Sequence, residues 1–500
     1  MGESARSLTR SAPTRRELLA SSFAAGAVAV VPSAAHAADG IVLNDVSHLN
    51  ATPVARHIVV KSNDAAKTIE QLRRELREAA AEGRPVAMGA ARHSMGGQSL
   101  ARQGTAFTFE APRCDVDRAA GLYRAGSGAR WHHVIAVLDP LGLSPKVLQA
   151  NNDFGVASTF SVNAHGWPVP YGPFGSTVRA FGLMLADGTI VRASRDENRE
   201  LFRHVMGGYG LFGIILDLDV ETVSNEMLQP SFEPVAARAF GERFLAICTD
   251  PAVKMAYGHL DVSSGGFFEN ALITSYRPAA APGGKLPPVE AGGEGVVGYL
   301  SRQIYRAEVG SDMGKQFRWF METTVGPRVD SGRVTRNNLL NWGAAQLAER
   351  NPARTDILHE YFMPPASFPA FLKACQDIIA KSGLDLLNVT LRFVEPDTES
   401  VLAYAPTRRI AAVMSFSEAR TSAADARMER VTRELIDRVL AIGGSFYLPY
   451  RLHARPDQLA RAYPAVADFV ACKRRYDPKL LFRNTLWDKW LAELDKAKNR

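Results

Sequence analysis

The sequence lacks the features that mark several large classes of protein. It has four cysteines in 500 residues, Cys114, Cys248, Cys375 and Cys472, and none of them forms a CxxC pair. No cysteine and histidine cluster has the spacing of metal ligands, so we expect buried thiols rather than a disulfide framework or a metal site. The net charge is +7, but no lysine or arginine run forms a nucleic-acid-binding stripe.

A complete dinucleotide fingerprint is also missing. Gly208–Gly213 matches GxGxxG in its letters, but a predicted helix precedes it and a predicted strand follows it. The fingerprint requires the reverse order, in which the helix N-terminus faces the pyrophosphate. Gly126-Ser127-Gly128 follows a strand and precedes a helix, but it lacks the third glycine. A nicotinamide-dependent dehydrogenase is therefore disfavoured.

Residues 1–37 are predicted to be an export signal. Arg15-Arg16 is followed by the apolar stretch 18–31, which is too short to span a membrane, and then by the small-x-small site 35–37. This order is typical of a twin-arginine signal, so we expect a periplasmic or secreted mature chain that begins at Ala38 and has no membrane span. The twin-arginine machinery exports folded proteins, which points to a cofactor inserted before export.

The mature chain begins with a β-α-β pattern. His57–Lys61 is a predicted strand, and Asp64–Glu82 is a predicted helix that Ser62 or Asn63 caps. A second strand, Pro85–Met88, leads into a loop of small residues, Gly89–Gln98, with His93 at its centre. Small residues let backbone N–H groups approach a phosphate closely, and α/β folds place ligands at such strand ends.

The rest of the chain alternates between strands and helices. Strands are predicted at 107–110, 122–126, 214–223, 386–394 and 410–416, a hairpin at 182–193, and helices at 131–138, 200–202, 368–381 and 420–442. The alternation after residue 225 predicts a second α+β domain. The Pro- and Gly-rich stretch 277–295 is expected to be a mobile surface insertion in preference to an active-site lid.

Five segments, in this order, resemble the vanillyl-alcohol-oxidase-type (PCMH) FAD-dependent oxidoreductases. They are Arg92-His93-Ser94, Ser158 to Gly166, Ala186-Asp187-Gly188, Gly207 to Gly213, and the C-terminal Tyr476-Asp477-Pro478 with Phe482-Arg483-Asn484. Within that family the chain is most similar to the branch of aldonolactone, alditol and related sugar oxidases. The resemblance covers about residues 50–225 and returns near the C-terminus.

The resemblance implies an α+β fold of two domains. Residues 38–225 would form the FAD-binding PCMH-type domain, residues 226–430 an inserted substrate domain, and residues 431–500 a segment that returns to the FAD domain. It also implies a set of residues that bind FAD: Gly89, Ala90, Arg92, His93, Ser94, Gly97, Gln98, Ser158, Asn163, His165, Gly208, Gly213, Ile214 and Asn484.

Three of these residues have alternative roles. His93 occupies the position that bonds covalently to the flavin in many members, and the alternative is a packing residue beneath the flavin. His165 either lines the flavin edge or hydrogen-bonds a loop. Asn484 either contacts the flavin or substrate, or stabilises a turn.

The resemblance also indicates catalytic residues. Related sugar oxidases have an acidic residue two positions before an arginine; this chain keeps the arginine, Arg392, but has Thr390 in place of the acid. Arg392 would stabilise negative charge on the flavin or substrate, or it forms an ion pair at a strand end. Tyr447, Tyr450 and Arg451 are further candidates, which would face the pocket or belong to the core or rim. The identity of the base stays open.

The leading hypothesis is an exported FAD-dependent oxidoreductase. It would oxidise a C–OH group of a sugar, aldonolactone or other small alcohol by hydride transfer to flavin N5, with O2 or a periplasmic electron carrier as acceptor. The alternative is a periplasmic small-molecule-binding protein that keeps the fold without turnover. Flavin content and redox cycling separate the two hypotheses.

Overall fold

The structure of the protein is a computed structural model that describes residues 40–290, 302–329, 332–343 and 349–498. The predicted export signal and residues 291–295 of the predicted surface insertion lie outside these ranges. Residues 279–288 are mostly exposed, as predicted for an insertion at the surface. No helix in the described ranges combines the length and the hydropathy needed to cross a bilayer.

The described chain forms nineteen strands in four sheets. The strands are β1 (Ile41–Leu43), β2 (Thr52–Val54), β3 (Arg56–Val60), β4 (Val86–Gly89), β5 (Thr105–Phe109), β6 (Cys114–Asp117), β7 (Leu122–Gly126), β8 (Leu143–Pro145), β9 (Val178–Met184), β10 (Ile190–Ser194), β11 (Ile214–Ser224), β12 (Met227–Ala236), β13 (Met255–Leu260), β14 (Asn270–Pro278), β15 (Val334–Thr335), β16 (Arg354–Met363), β17 (Asp385–Val394), β18 (Arg409–Ala419) and β19 (Ser445–Phe446).

The α-helices lie between these strands and after the last of them. They are α1 (Ala65–Ala81), α2 (Trp131–Leu138), α3 (Val156–Ser161), α4 (Arg199–Val205), α5 (Phe240–Cys248), α6 (Asp312–Phe320), α7 (Gly326–Val329), α8 (Arg336–Leu340), α9 (Phe368–Ser382), α10 (Ser422–Ala441), α11 (Pro456–Ala462), α12 (Val466–Tyr476) and α13 (Ala492–Lys498). The helices and strands that the sequence predicts are confirmed within a few residues.

The first layer is a parallel sheet of three strands in the order β3-β5-β4. The predicted β-α-β unit is present, but β5 lies between its two strands. Helix α1 packs on this sheet through Leu72, Leu76 and Ala79. The prediction of Ser62 or Asn63 as the cap is wrong, because the Asp64 carboxylate accepts the hydrogen bonds from the N–H groups of Ala66 and Lys67.

The end of the chain returns to this first sheet. Phe482 forms a parallel bridge with Val86, and the N–H of Val86 donates to the carbonyl of Leu481 at 2.7 Å. Buried Phe482 joins the apolar core between α1 and the sheet. Residues far apart in sequence therefore complete one layer.

A six-stranded sheet follows, in the order β10-β9-β11-β7-β6 with β8 also paired to β11. The hairpin β9–β10 turns at Asp187-Gly188, as predicted, with Gly188 at φ +84°. Helix α4 precedes Gly208–Gly213 and β11 follows it, so the reversed context of the GxGxxG letters is confirmed.

The largest layer is an antiparallel sheet of eight strands, in the order β15-β12-β14-β13-β17-β18-β16-β19. Alternate side chains of its long central strands point to opposite faces. On one face α10 packs against β16, where Thr432 Oγ1 lies 3.1 Å from His359 Nε2. The other face borders a cavity. All four cysteines are free thiols, and three are buried.

Candidate active site

A cavity of about 1360 Å³, which includes space open to solvent, lies between the loops of the N-terminal layers and the eight-stranded sheet. Thirteen of its lining residues are among those that the sequence predicts: Gly89, Ala90, Arg92, His93, Ser94, Gln98, Ser158, His165, Gly213, Ile214, Arg392, Tyr447 and Tyr450. Segments separated by hundreds of residues thus line one space.

The loop Gly89–Gln98 forms one wall, and its backbone is unusual at Arg92. Arg92 has φ +53°, a left-handed conformation that side chains other than glycine rarely adopt and that is often found at functional sites. Its guanidinium donates to Thr108 Oγ1 at 2.5 Å, while its Nε has no partner among the described residues. Burial lowers the pKa of Arg92 to about 10, so this cation keeps its charge at neutral pH.

His93 lies on the same wall with its side chain only 4% exposed. Its Nε2 is 3.1 Å from Oδ2 of Asp153, and its ring stacks on Phe154 with the centroids 4.0 Å apart. Within the described part of the chain Nδ1 has no hydrogen-bond partner. Nε2 likewise has no hydrogen-bond partner there, so Asp153 is an ion-pair neighbour on the Nε2 side of the ring.

Buried polar side chains attach this loop to distant segments. The amide Nε2 of Gln98 donates to the carbonyls of Leu448 and Tyr450 at 2.7 and 2.9 Å, and its Oε1 accepts from the N–H of Gly96. Asn484 Nδ2 donates to the carbonyls of Gln98 and Tyr209. Gln98 and Asn484, both predicted to bind the cofactor, therefore use their side-chain amides to hold the loops in place.

Three further predicted residues, Gly97, Asn163 and Gly208, lie outside the lining. Gly97, at φ +72°, donates its N–H to the carboxylate of Asp45 at 2.9 Å. The Asn163 amide is held by Asp397 and by the N–H of Gly175. Both residues shape loops, as does Gly208, where an added Cβ would lie 2.2 Å from the carbonyl oxygen of His204.

The second wall is formed by α3 and the loop after it. Ser158 lines the cavity from the helix, and His165 lines it from the loop. The hydroxyls of Tyr404 and Tyr447 donate to the carbonyls of Asn163 and Val162 at 2.7 and 2.9 Å. The loop is therefore tied to aromatic side chains that belong to the later part of the chain.

The third wall is the open face of the eight-stranded sheet. Glu360 on β16 and Thr390 on β17 both pair with Val413 on the intervening strand β18. Arg392 lies two residues beyond Thr390 on the same face, and its Nε is buried without a partner among the described residues. Burial lowers the pKa of Arg392, and the nearby Glu360 opposes that shift. Thr390 on β17 has no carboxylate, but Glu360 on β16, two strands away in the sheet, places one on the same face.

Arg451 lies elsewhere, contrary to its prediction as a residue of the pocket. Its guanidinium donates to Asp425 Oδ1 at 2.6 Å, to Asn50 Oδ1 at 3.0 Å and to the carbonyl of Met95 at 3.4 Å. It is outside the set of residues that line the cavity. The side chain supports the His93 loop from behind, because its Nη1 and Nη2 donors are used in these contacts.

Sequence reasoning missed several lining residues, of which Glu360 is the most important. Ser127 of the set-aside Gly126-Ser127-Gly128 motif also lines the cavity, as do Phe154 and Tyr209. The sequence signal that could have identified Ser127 is its turn of small residues between a strand and a helix. Glu360 has no local motif, since its place in the site follows from the strand order of the sheet.

The residues present fit FAD. Loops of small residues line the cavity at Gly89, Ala90 and Gly155, and the buried cation of Arg92 suits a pyrophosphate. The partner-free nitrogens of His93 and Arg392 provide two further polar contacts. These residues would hold the cofactor between the small-residue loops and the large sheet.

Comparisons with known proteins give the same family. Residues 64–194 match the model of an FAD binding domain. An alditol oxidase from Streptomyces sp. is 24% identical over 382 residues, 74% of this chain and 81% of that protein. A D-arabinono-1,4-lactone oxidase from Yarrowia lipolytica is 32% identical over 107 residues (21% and 20%), and cytokinin dehydrogenase 7 from Oryza sativa subsp. japonica is 34% identical over 138 residues (26% of each).

The alditol oxidase is matched over most of its length, whereas the chain spans about a fifth to a third of other relatives. The matched FAD-binding segment contains the His93 loop, α3 and the loop of His165, which are two walls of the cavity. The chain therefore carries an FAD-binding domain at residues 64–194 and is similar to PCMH-type FAD-dependent oxidoreductases near the sugar-oxidase branch.

Proposed function

We propose that the protein oxidises a CH–OH group of a small alcohol, with alditols and aldonolactones as the first candidates. The observation that carries this proposal is the single cavity in which the FAD loops face Glu360 and Arg392. Bound FAD would accept the hydride from the substrate carbon. Arg392, whose buried Nε has no hydrogen-bond partner in the described part of the chain, would stabilise negative charge that develops nearby. O2 or a periplasmic carrier would remove the electrons.

The proposed arrangement is an FAD domain formed by residues 38–225 and 431–500, with residues 226–430 as the inserted substrate domain. The bridge between Phe482 and Val86 and the bonds from Gln98 to residues 448 and 450 support the return of the C-terminal segment. Residues 1–37 are proposed to direct twin-arginine export. Replacing Arg15-Arg16 with two lysines should retain the protein in the cytoplasm, as fractionation of cells would show.

His93 is proposed to bond to the ring-methyl carbon of FAD through Nδ1. Asp153 Oδ2 lies 3.1 Å from Nε2 and would favour a proton on that nitrogen, which would leave the lone pair of Nδ1 for attack. When bound, FAD would supply this carbon and take up the two electrons released as the N–C bond replaces a methyl C–H bond, whose hydrogen would leave as a proton. The electron acceptor, O2 or a periplasmic carrier, then restores the oxidised flavin.

The test is to purify the protein, record its visible spectrum and precipitate it with acid. A yellow pellet is expected from the wild type, and a white pellet with yellow supernatant from the His93→Ala variant. If the variant retains acid-precipitable flavin, attachment through His93 is wrong. Anaerobic mixing with xylitol, glycerol or D-arabinono-1,4-lactone should bleach the flavin; a flavin that none of these alcohols reduces favours a binding protein without turnover.

A further inference from the structure

Three side chains from three separate segments meet in the cavity around Glu360. Its Oε1 lies 2.5 Å from Nε2 of His165, and its Oε2 accepts a hydrogen bond from the Tyr450 hydroxyl at 3.1 Å. Glu360 is 3% exposed and His165 is 4% exposed, and all three residues line the cavity. A buried carboxylate thus lies where a bound substrate could reach it.

The contact with His165 determines which carboxylate oxygen is open. Two lone pairs cannot face each other at 2.5 Å, so one proton occupies the contact between Nε2 and Oε1. The other ring nitrogen, Nδ1, is directed to the carbonyl of Gly166 at 3.4 Å. Neither nitrogen of His165 therefore offers a free lone pair to the cavity. Among the described residues, Tyr450 is the hydrogen-bond donor to Oε2 of Glu360, which keeps a second acceptor site.

The neighbours of this carboxylate suit a proton acceptor. Burial raises the pKa of Tyr450, and the charge of Glu360 raises it further, so the phenol remains a donor at neutral pH. The Arg392 cation lies on the same face of the sheet, in the row next to Glu360 across β18. Its positive charge attracts this carboxylate, since opposite charges attract strongly in a buried site.

We propose that Oε2 of Glu360 is the base that takes the hydroxyl proton of the substrate. This proposal rests on the proposed function, the oxidation of an alcohol. The O–H proton passes to Oε2, the C–H bond breaks with its electron pair transferred as hydride to bound FAD, and the C=O bond forms. Glu360 returns the proton to water after the product leaves. His165 is a positioning residue, because it fixes Oε1 and turns Oε2 towards the substrate.

The experiment compares wild type with the Glu360→Gln variant, whose amide keeps the size of the side chain but cannot accept the proton. Anaerobic stopped-flow with xylitol, glycerol and D-arabinono-1,4-lactone gives the rate of flavin reduction, and the spectral change on mixing gives the dissociation constant. We expect the reduction rate to fall by about 100- to 10,000-fold, the range for loss of a general base, while the dissociation constant changes by less than about threefold.

Glu418→Gln is the matched control. Glu418 is a buried carboxylate on β18 that lies outside the cavity, so the same change there should leave the reduction rate intact. An equal reduction rate in Glu360→Gln and wild type overturns the proposal for Glu360 alone. If none of the alcohols reduces the wild-type flavin, the proposed function fails and the proposal fails with it.

A second variant keeps the proposal testable if Glu360→Gln misfolds. Loss of bound flavin would reveal such misfolding. Tyr450→Phe leaves the carboxylate in place and removes the hydroxyl that orients Oε2. We expect the reduction rate to fall by roughly 10-fold while alcohol binding is retained. A fall of this size corresponds to the loss of one hydrogen bond to a charged group. An unchanged rate in Tyr450→Phe, when Glu360→Gln does not fold, would count against the assignment.

Discussion

At the scale of single residues, the chemistry of the cavity depends on polar atoms that the protein leaves without partners. His93 Nδ1, Arg92 Nε and Arg392 Nε are buried and unpartnered among the described residues. Leaving a buried donor or acceptor unsatisfied costs about 1–3 kcal/mol, so such atoms are kept where a ligand will satisfy them. The side-chain amides of Gln98 and Asn484, in contrast, form hydrogen bonds within the protein.

Asp153 should control how fast the flavin becomes attached. Its carboxylate lies 3.1 Å from His93 Nε2 and would stabilise the positive charge that the ring acquires as Nδ1 bonds to carbon. In Asp153→Asn we expect attachment to slow by about 10-fold, equivalent to about 1.4 kcal/mol, while FAD still binds non-covalently. The measurement is flavin fluorescence in acid-precipitated protein over time, with Asp196→Asn as the surface control. Equal attachment rates in both variants would exclude this role.

Arg451 should matter for stability rather than for flavin reduction. We expect Arg451→Met to keep the wild-type reduction rate but to lose about 1–3 kcal/mol, because the Met95 carbonyl and Asp425 each lose a donor. Thermal unfolding would measure this loss, with exposed Arg430→Met as control. A large fall in the reduction rate at unchanged stability would restore Arg451 as a catalytic candidate.

The acid side of the stability profile provides a second readout for Arg451→Met. The hydrogen bond from His453, together with Arg451, holds the pKa of Asp425 well below its usual range. A carboxyl whose folded pKa is depressed stabilises the fold above its unfolded pKa, and this stabilisation is lost as the pH falls. Removing Arg451 raises the folded pKa of Asp425, so the variant should lose less stability than wild type between pH 5 and pH 2.

At the scale of secondary-structure elements, the His93 loop holds its shape through contacts with the segment 448–452. The N–H of Met95 donates to the Pro449 carbonyl at 2.8 Å, and a Cβ added at Gly96 would lie 2.7 Å from the carbonyl oxygen of Tyr450. The loop and the segment therefore touch through their backbones, with no room for a side chain.

Gly96→Ala should weaken FAD binding. The new methyl group meets a backbone oxygen that cannot move cheaply, and such overpacking costs about 1–3 kcal/mol. We expect FAD affinity to fall by about 10-fold or more in a His93→Ala background, where binding is reversible and can be followed by flavin fluorescence. Gly265→Ala is the control, because an added Cβ there meets no atom within 4 Å.

The elements were predictable from sequence to the extent that their signals are local. Helix α1 follows from the spacing of Leu72 and Leu76, and the β9–β10 hairpin from Asp187-Gly188. The role of Glu360 was not predictable, because its place in the site depends on the pairing of β16 with β18, where Val413 lies fifty-three residues later in the sequence. The supporting roles of Gln98 and Asn484 depend likewise on contacts across more than 300 residues.

At the scale of the whole molecule, the cavity is shared by the N-terminal loops and the large sheet, so its ligand should stabilise both. A ligand that binds only the folded state adds RT ln(1 + [L]/Kd), which is about 2.7 kcal/mol at 100 times Kd. We expect flavin-free His93→Ala protein to unfold at a temperature a few degrees higher when FAD is added at that excess. Riboflavin, which lacks the pyrophosphate that Arg92 would bind, should have a smaller effect. An equal effect of the two ligands would contradict the role of Arg92.

The contacts between the His93 loop and the C-terminal segments also set the timing of maturation. Gln98 bonds to Leu448 and Tyr450, and Asn484 bonds back to Gln98, so the loop cannot reach its final form while those residues are still within the ribosome. Cofactor loading must therefore come after nearly all of the chain has been synthesised. A ribosome stalled before residue 448 would display a nascent chain that is unable to retain flavin, even though most of the FAD-binding segment has already emerged.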